Sequence, residues 1–308
     1  MRVLFFGMLG TLTRLPLAAL LAADVELCGL VLPAEIVPPF QLVGNGRSSS
    51  PITAIRHEPP MPNLLPTPQV TSPLALAAAN NVPAFAVQQL AASETVKVLT
   101  ELQPDVICVS CFPRRLPPAI LNLPPISCLN VHPSLLPRFR GPAPLFWALR
   151  AGVAETGVTI HFMDENFDTG DVALQWPFPL PDGATHAELE TSLAQLGGKL
   201  LVEALQKLAA GSLLRQPQPS GFSSDPWPRD ADFALDTSWS AQRAFNFMRG
   251  TGNWERPYFV QVQEKTVWLE TAVSCNPEAT LPQPMIRQGQ TVQLQFSPGV
   301  LAATTLVN

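Results

Sequence analysis

Thirty-four prolines punctuate this 308-residue chain, and they mark where regular structure has to stop. Proline lacks a backbone N–H and its ring clashes with the carbonyl four residues back, so it sits at element ends, at edges and in loops. The crowding is heaviest between residues 33 and 73. There Pro38, Pro39, Pro51, Pro59, Pro60, Pro62, Pro66, Pro68 and Pro73 make continuous helix or sheet implausible. The stretch reads as a long surface loop, either bordering a functional site or acting as a disordered linker.

Outside that loop, strand and helix patterns alternate. The opening "MRVLFFGMLGTLTRLPLAALLAADVELCGLVL" has the apolar content of a leader, but Gly7, Gly10, Arg14 and Pro16 break it and it holds no 18-residue apolar run. It parses instead as strand 2–6, turn 7–11, helix 15–23 and strand 25–32, a βαβ opening. Helix, turn and short strand follow over 74–90, then a helix over 93–103, a buried strand over 104–110 and a short helix near 118. Next come a strand over 127–133, a helix over 142–152, strands over 156–164 and from 172, and a long helix over 185–211. That alternation predicts an α/β fold with a doubly wound, mostly parallel sheet. The expected organisation is a first domain over 1–211, a Pro/Ser-rich linker over 212–230 and a small β domain over 231–308. In the last, "YFVQVQEKTVWLETAV" and "QTVQLQFSPGVLAATTLV" read as hairpins of a barrel-like fold.

Charged residues are only 14% of the chain and the net charge is −5, which argues weakly against a protein held to nucleic acid by charge alone. Lys97, Lys199, Lys207 and Lys265 are the only lysines, so most cations are Arg, the better holder of planar anions. Five Cys, an odd number without framework spacing, fit a reduced, cytoplasmic setting. Cys108 and Cys111 form a C-x-x-C, but no second pair follows at zinc spacing, and a structural role in a buried strand is expected, with no metal.

The chemistry concentrates in "LNVHPSLLPRFRGPAP", residues 129–144. Asn130 and His132 are two apart on a strand that Pro133 ends, so they share a face at the strand's carboxyl end, where open α/β sheets place their sites. "DENFDTGD" follows the next strand and is expected to bring Asp164, Asp168 and Asp171 to the same edge. Singly, each residue has a plainer reading: a packed His, a strand-end Asn, a turn-forming Asp. Together they suit acyl transfer, with an amide for a developing oxyanion, an imidazole beside it and a carboxylate to orient it or take a proton. G-x-S-x-G, G-x-G-x-x-G and the phosphate-loop pattern are all missing from the sequence, so the nucleophile is expected on the substrate.

The Asn-x-His, Ser-Leu-Leu-Pro and Arg-Gly of this run, followed by "ETGVTIHFMDENFDTGDV", resemble the folate-dependent formyltransferase family. The likeness spans about residues 1–210 and is densest over 105–175. It implies transfer of a formyl group from 10-formyltetrahydrofolate to an amine. It further implies that Asn130 and His132 stabilise the oxyanion, and that Asp168 holds His132 and helps remove the amine's proton. Ser134, Leu135, Leu136 and Pro137 would line the folate side, and Gly141 and Gly170 would allow close backbone approach. Phe112 is either a wall of the pterin site or a core residue. Arg138 and Arg140 would meet the folate tail, meet an acceptor phosphate or face solvent, and His161 reads as structural.

The implied partners are the folate donor and an acceptor amine, with no membrane and no DNA. The segment near 238–250 resembles, more loosely, the C-terminal domain of enzymes that formylate methionyl-tRNA. Initiator methionyl-tRNA is therefore the expected acceptor. The alternatives are an amino-sugar nucleotide or other small amine, and, more remotely, a non-catalytic folate-binding protein. Charge gives the tRNA acceptor no support: the Pro-rich loop carries only Arg47 and Arg56, and residues 211–308 hold seven basic against eight acidic side chains.

Overall fold

Arg2–Phe6 (β1) and Val106–Ser110 (β5) are almost wholly buried and lie side by side, parallel, in the middle of an eight-stranded sheet. The computed structural model describes residues 1–38, 41–43, 50–56, 72–222 and 224–306. Much of the Pro-rich stretch, including Arg47, lies outside them. By compactness the chain divides into two units. One holds 1–140, 157–177 and 191–224; the other holds 141–156, 178–190 and 225–308.

The first unit is built on the sheet. Glu26–Pro33 (β2) pairs parallel with β1, Ala84–Val87 (β4) with β2, and Ser127–His132 (β6) with β5. The full order is β3-β4-β2-β1-β5-β6-β7-β8, with Ile52–Ala54 (β3) at one edge and Glu155–Phe162 (β7) and Val172–Pro179 (β8) completing the other side. The mostly parallel sheet bears out the expected fold class. One core cluster on it gathers Leu4, Phe6, Val31, Leu99, Ile107 and Val109.

Three details depart from the sequence expectation, each for a physical reason. The first helix, Thr11–Ala22 (α1), starts four residues early, so Pro16 falls in its interior and not in its first turn. Pro16 cannot donate to the Leu12 carbonyl, and the Ser110 hydroxyl donates to that carbonyl instead. Ile52–Ala54 (β3) is a strand within the stretch read as loop. It is three residues long and antiparallel to β4 at the sheet edge, where a Pro51 just before it costs no central hydrogen bond. Finally, β7 runs antiparallel to β6, pairing Leu129 with Phe162 and His132 with Thr159. Its end therefore lies beside the start of β6, not beside His132.

The helices Pro73–Ala79 (α2), Ser93–Glu101 (α3) and Pro118–Leu121 (α4) fall between strands as the alternation requires. His186–Ala209 (α6) is opened by Glu188, whose carboxylate accepts from the Thr185 amide and hydroxyl. Within it, a Cβ on Gly197 would come 2.7 Å from Val131, and one on Gly198 2.8 Å from Ala19, so bare glycines let this helix lie against β6 and α1. None of the helices among the described residues is long and apolar enough to cross a membrane.

The second unit has its own six-stranded sheet, ordered β12-β13-β14-β11-β10-β9. Its strands are Ala234–Leu235 (β9), Tyr258–Val262 (β10), Lys265–Asn276 (β11), Met285–Gln288 (β12), Thr291–Gln295 (β13) and Val300–Thr305 (β14). Register shifts within β11 bend the strand. Pro144–Ala151 (α5) and Ala241–Gly250 (α7) belong to this unit. Phe146 of α5 packs with its ring centroid 5.2 Å from Phe233 and 5.3 Å from Phe247, an aromatic core of its own.

Candidate active site

Asn130 and His132 share one face of β6, and the β7 register puts His161 opposite Asn130 and Thr159 opposite His132. Four polar side chains thus meet on two neighbouring strands. The fifth member, Asp168, arrives by a different route. Because β7 runs the wrong way to deliver it, residues 163–171 leave the far end and climb back over the face. The Phe162 amide donates to the Asp171 carbonyl at 2.9 Å, closing the base of that excursion. Gly170 packs so tightly there that a Cβ would lie 1.8 Å from the Phe162 carbonyl oxygen. Asp168 itself takes a left-handed backbone, φ +55, a conformation Asp tolerates better than most residues.

Asp168 Oδ1 ends 3.5 Å from His132 Nδ1, 3.4 Å from His161 Nε2 and 3.4 Å from Asn130 Nδ2. The expected Asn, His and Asp do meet. The other two acidic residues do not join them. Asp164 accepts from the Asn166 amide and the Thr169 hydroxyl, which shapes the returning loop. Asp171 faces Arg215 at 3.9 Å.

Hydrogen bonding assigns the ring nitrogens. His132 Nε2 is 2.9 Å from the Phe139 carbonyl, and His161 Nδ1 is 2.9 Å from the Phe162 carbonyl. A carbonyl only accepts, so both nitrogens carry hydrogen. His161 Nε2 then accepts from Asn130 Nδ2 at 3.0 Å. His132 Nδ1 is left facing the Asp168 carboxylate. Burial pushes the His132 imidazole below its ordinary value; the Asp168 charge pulls it back up, His161 pushes it further down, and the Phe139 carbonyl raises it.

The turn after β6 is pinned from β7. The Ser134 hydroxyl donates to the Arg138 carbonyl at 2.8 Å, and the Thr159 hydroxyl donates to the Ser134 carbonyl at 2.7 Å. Thr159 in turn accepts from the Leu136 amide and from Gln175 Nε2. Ser134 and Leu136 are buried, and Leu135 lies against Gly157. The Leu136–Pro137 peptide bond is cis. Gly141, at φ +109, has the Asp225 carbonyl 2.3 Å from where a Cβ would sit. Phe112 meets Phe6 edge-on at 5.3 Å and packs on the core cluster.

Two residues differ from their sequence readings. His161 is a full member of the cluster; the signal was its β7 register with Asn130, which needs the strand direction. Arg140 is 7% exposed, and its guanidinium is held inside the protein by Gln218 Oε1 and the Phe222 carbonyl. Arg138 lies with Cζ 5.1 Å from the Phe139 ring centroid.

The family described as Formyl transferase matches residues 47–205. The methionyl-tRNA formyltransferase of Syntrophus aciditrophicus is 36% identical over 230 residues, 74% of this chain and 73% of that protein. That of Synechococcus sp. (strain JA-3-3Ab) is 34% identical over 282 residues, 88% and 85% of the two chains. Among solved structures, an N-formyltransferase from Helicobacter canadensis, in complex with folinic acid and dTDP-3-aminofucose, shares the fold at TM-score 0.65 and 15% identity, covering 99% of each chain. HypX from Aquifex aeolicus in complex with tetrahydrofolic acid does so at TM-score 0.60 and 18% identity, covering 98% of this chain and 43% of that one. Sequence motif, sheet topology and relatives agree, and the chain belongs to the folate-dependent formyltransferase family.

Proposed function

We propose that this enzyme moves the formyl group of 10-formyltetrahydrofolate to the amino group of initiator methionyl-tRNA, in the cytoplasm. The observation that carries the chemistry is the convergence of Asn130, His132 and Asp168 within 3.5 Å on one strand end. The acceptor amine attacks the formyl carbon, the carbonyl π electrons move to oxygen, and the bond to N10 of the folate then breaks. The amine loses one proton and N10 gains one.

In this reading Asn130 Nδ2 stabilises the oxyanion. Its 3.4 Å contact to Asp168 is long enough to be exchanged for a better one. The His132 Nδ1–Asp168 Oδ1 pair takes the amine's proton and returns it to N10. The Nε2–H of His132 stays on Phe139, which favours a proton-relay role over the oxyanion role the resemblance implied for it. Ser134 to Pro137, Phe112 and Gly170 frame the folate side. The tRNA acceptor rests on the methionyl-tRNA formyltransferases being relatives over most of the chain.

The deciding experiment is formyl transfer from 10-formyltetrahydrofolate to charged initiator methionyl-tRNA by the purified chain. Rapid formylation is the expected result. Folate binding without formylation would overturn the tRNA acceptor and send the search to small amines.

A further inference from the structure

We infer that Gln218 is a positioning residue that sets the distance between Asp168 and His132. It lies in the stretch whose composition reads as a linker, between Pro217 and Pro219. Its flanking residues are exposed, whereas Gln218 itself is half-buried. Its one amide group makes four hydrogen bonds. Nε2 donates to the Asp168 carbonyl at 2.9 Å and to the Gly170 carbonyl at 2.7 Å. Oε1 accepts from Arg140 Nε at 3.1 Å and Nη2 at 2.7 Å, a two-pronged grip.

The two ends of this bridge are the two backbone pieces that fix the reacting pair. Asp168 and Gly170 belong to the loop that carries the carboxylate. Arg140 directly follows Phe139, whose carbonyl holds His132 Nε2. A carboxylate on a loop and an imidazole on a strand are thereby tied to each other through one side chain.

The bridge is anchored on both sides. Upstream, Gln216 and Val172 exchange two backbone hydrogen bonds, at 2.8 and 2.9 Å, and Arg215 lies 3.7 Å over the Phe162 ring. Downstream, Arg140 donates to the Phe222 carbonyl at 3.1 Å. Only a primary amide of this length gives two donors and two acceptor lone pairs from one planar group. A Glu would turn lone pairs on the Asp168 and Gly170 carbonyls while keeping the Arg140 grip. A Met would drop all four bonds at nearly the same volume.

The inference rests on the reading of Asp168 as half of the proton relay, and the test separates the two. The first readout needs no activity. The titration of His132 is followed by NMR in the intact chain carrying ring-labelled histidine, with the His132 signal assigned by its loss in His132→Gln. In Gln218→Met the Asp168 charge moves away from the ring, so the His132 midpoint is expected to fall. Made on an Asp168→Asn background, the same change should leave the midpoint where that background put it.

The second readout is formyl transfer. Gln218→Met should lower kcat at least tenfold with KM for the folate donor little changed, and should add almost nothing to Asp168→Asn. If Gln218→Met melts below the assay temperature, Gln218→Glu, which retains the Arg140 anchor, carries the kinetic test. An unchanged His132 midpoint, or losses that simply multiply with those of Asp168→Asn, would overturn the inference. Wild-type turnover in Asp168→Asn would instead sink the relay, while the NMR titration still reports on the bridge.

Discussion

His132 is 4% exposed and sits between a carbonyl on one side and a carboxylate on the other, so its charge state is a property of the pair. Replacing either partner should be costly to turnover. His132→Ala and Asp168→Asn are each expected to lower kcat by roughly 10²–10⁴-fold with the fold retained, the range for lost proton transfer or oxyanion help. Near-normal turnover with a collapsed melting temperature would make them structural residues. The lowered His132 value also has a sign in stability. A ring that resists protonation in the folded state contributes stability above its ordinary value of 6.5, and loses it as pH falls through that value toward the lower folded one. The stability gap between wild type and His132→Gln, from denaturant unfolding at a series of pH values, should therefore narrow as pH drops below about 6.5. A gap that widens would contradict the neutral buried ring.

Elements were legible where their signal was local. The extents of β1, β5 and β6 follow from runs of apolar and β-branched residues closed by turn formers, and their parallel order follows from the intervening helices. Asn130 and His132 were readable for the same reason, since period two and a closing proline need only neighbouring residues. The direction of β7 was not legible, because pairing depends on a partner strand and not on the strand's own residues. The expectation that Asp168 reaches the site was right, but the route differs: the loop doubles back over the sheet. The contacts of His161 and Gln218 were not legible on the same account, each being defined by something distant in sequence. The early start of α1 was not legible either, because the Ser110 hydroxyl that takes up the carbonyl Pro16 cannot reach is also remote. The returning loop carries its own prediction. Gly170→Ala places a methyl against the Phe162 carbonyl, so the loop must move. We expect a loss of stability on the order of 1–3 kcal/mol together with a kcat loss resembling that of Asp168→Asn, by thermal melting and formyl-transfer assay. Full activity in Gly170→Ala would mean the loop's path is not what places the carboxylate.

At the scale of the whole molecule, charge is the restraining feature. With a net charge of −5, the chain offers few cations to a polyanionic acceptor. Each phosphate neutralised by Lys or Arg steepens the dependence of log affinity on log salt by about 0.9 unit. We expect the tRNA affinity to show a shallow slope of about 2–4, read from binding titrations between low and physiological salt. A slope near 10 would reveal a basic surface that the charge count hides. The chain also passes between its two compact units five times, at 140/141, 156/157, 177/178, 190/191 and 224/225. Phe146, on α5 in the middle of the sequence, is part of the aromatic core that Phe233 and Phe247 complete near its other end. A fragment cut at residue 231 would open that core and lose a ring from its centre. The second unit is therefore no detachable cassette: recombination that swaps it between relatives has to exchange 141–156 and 178–190 along with the tail, and so has to splice through the strands that flank the Asp168 loop.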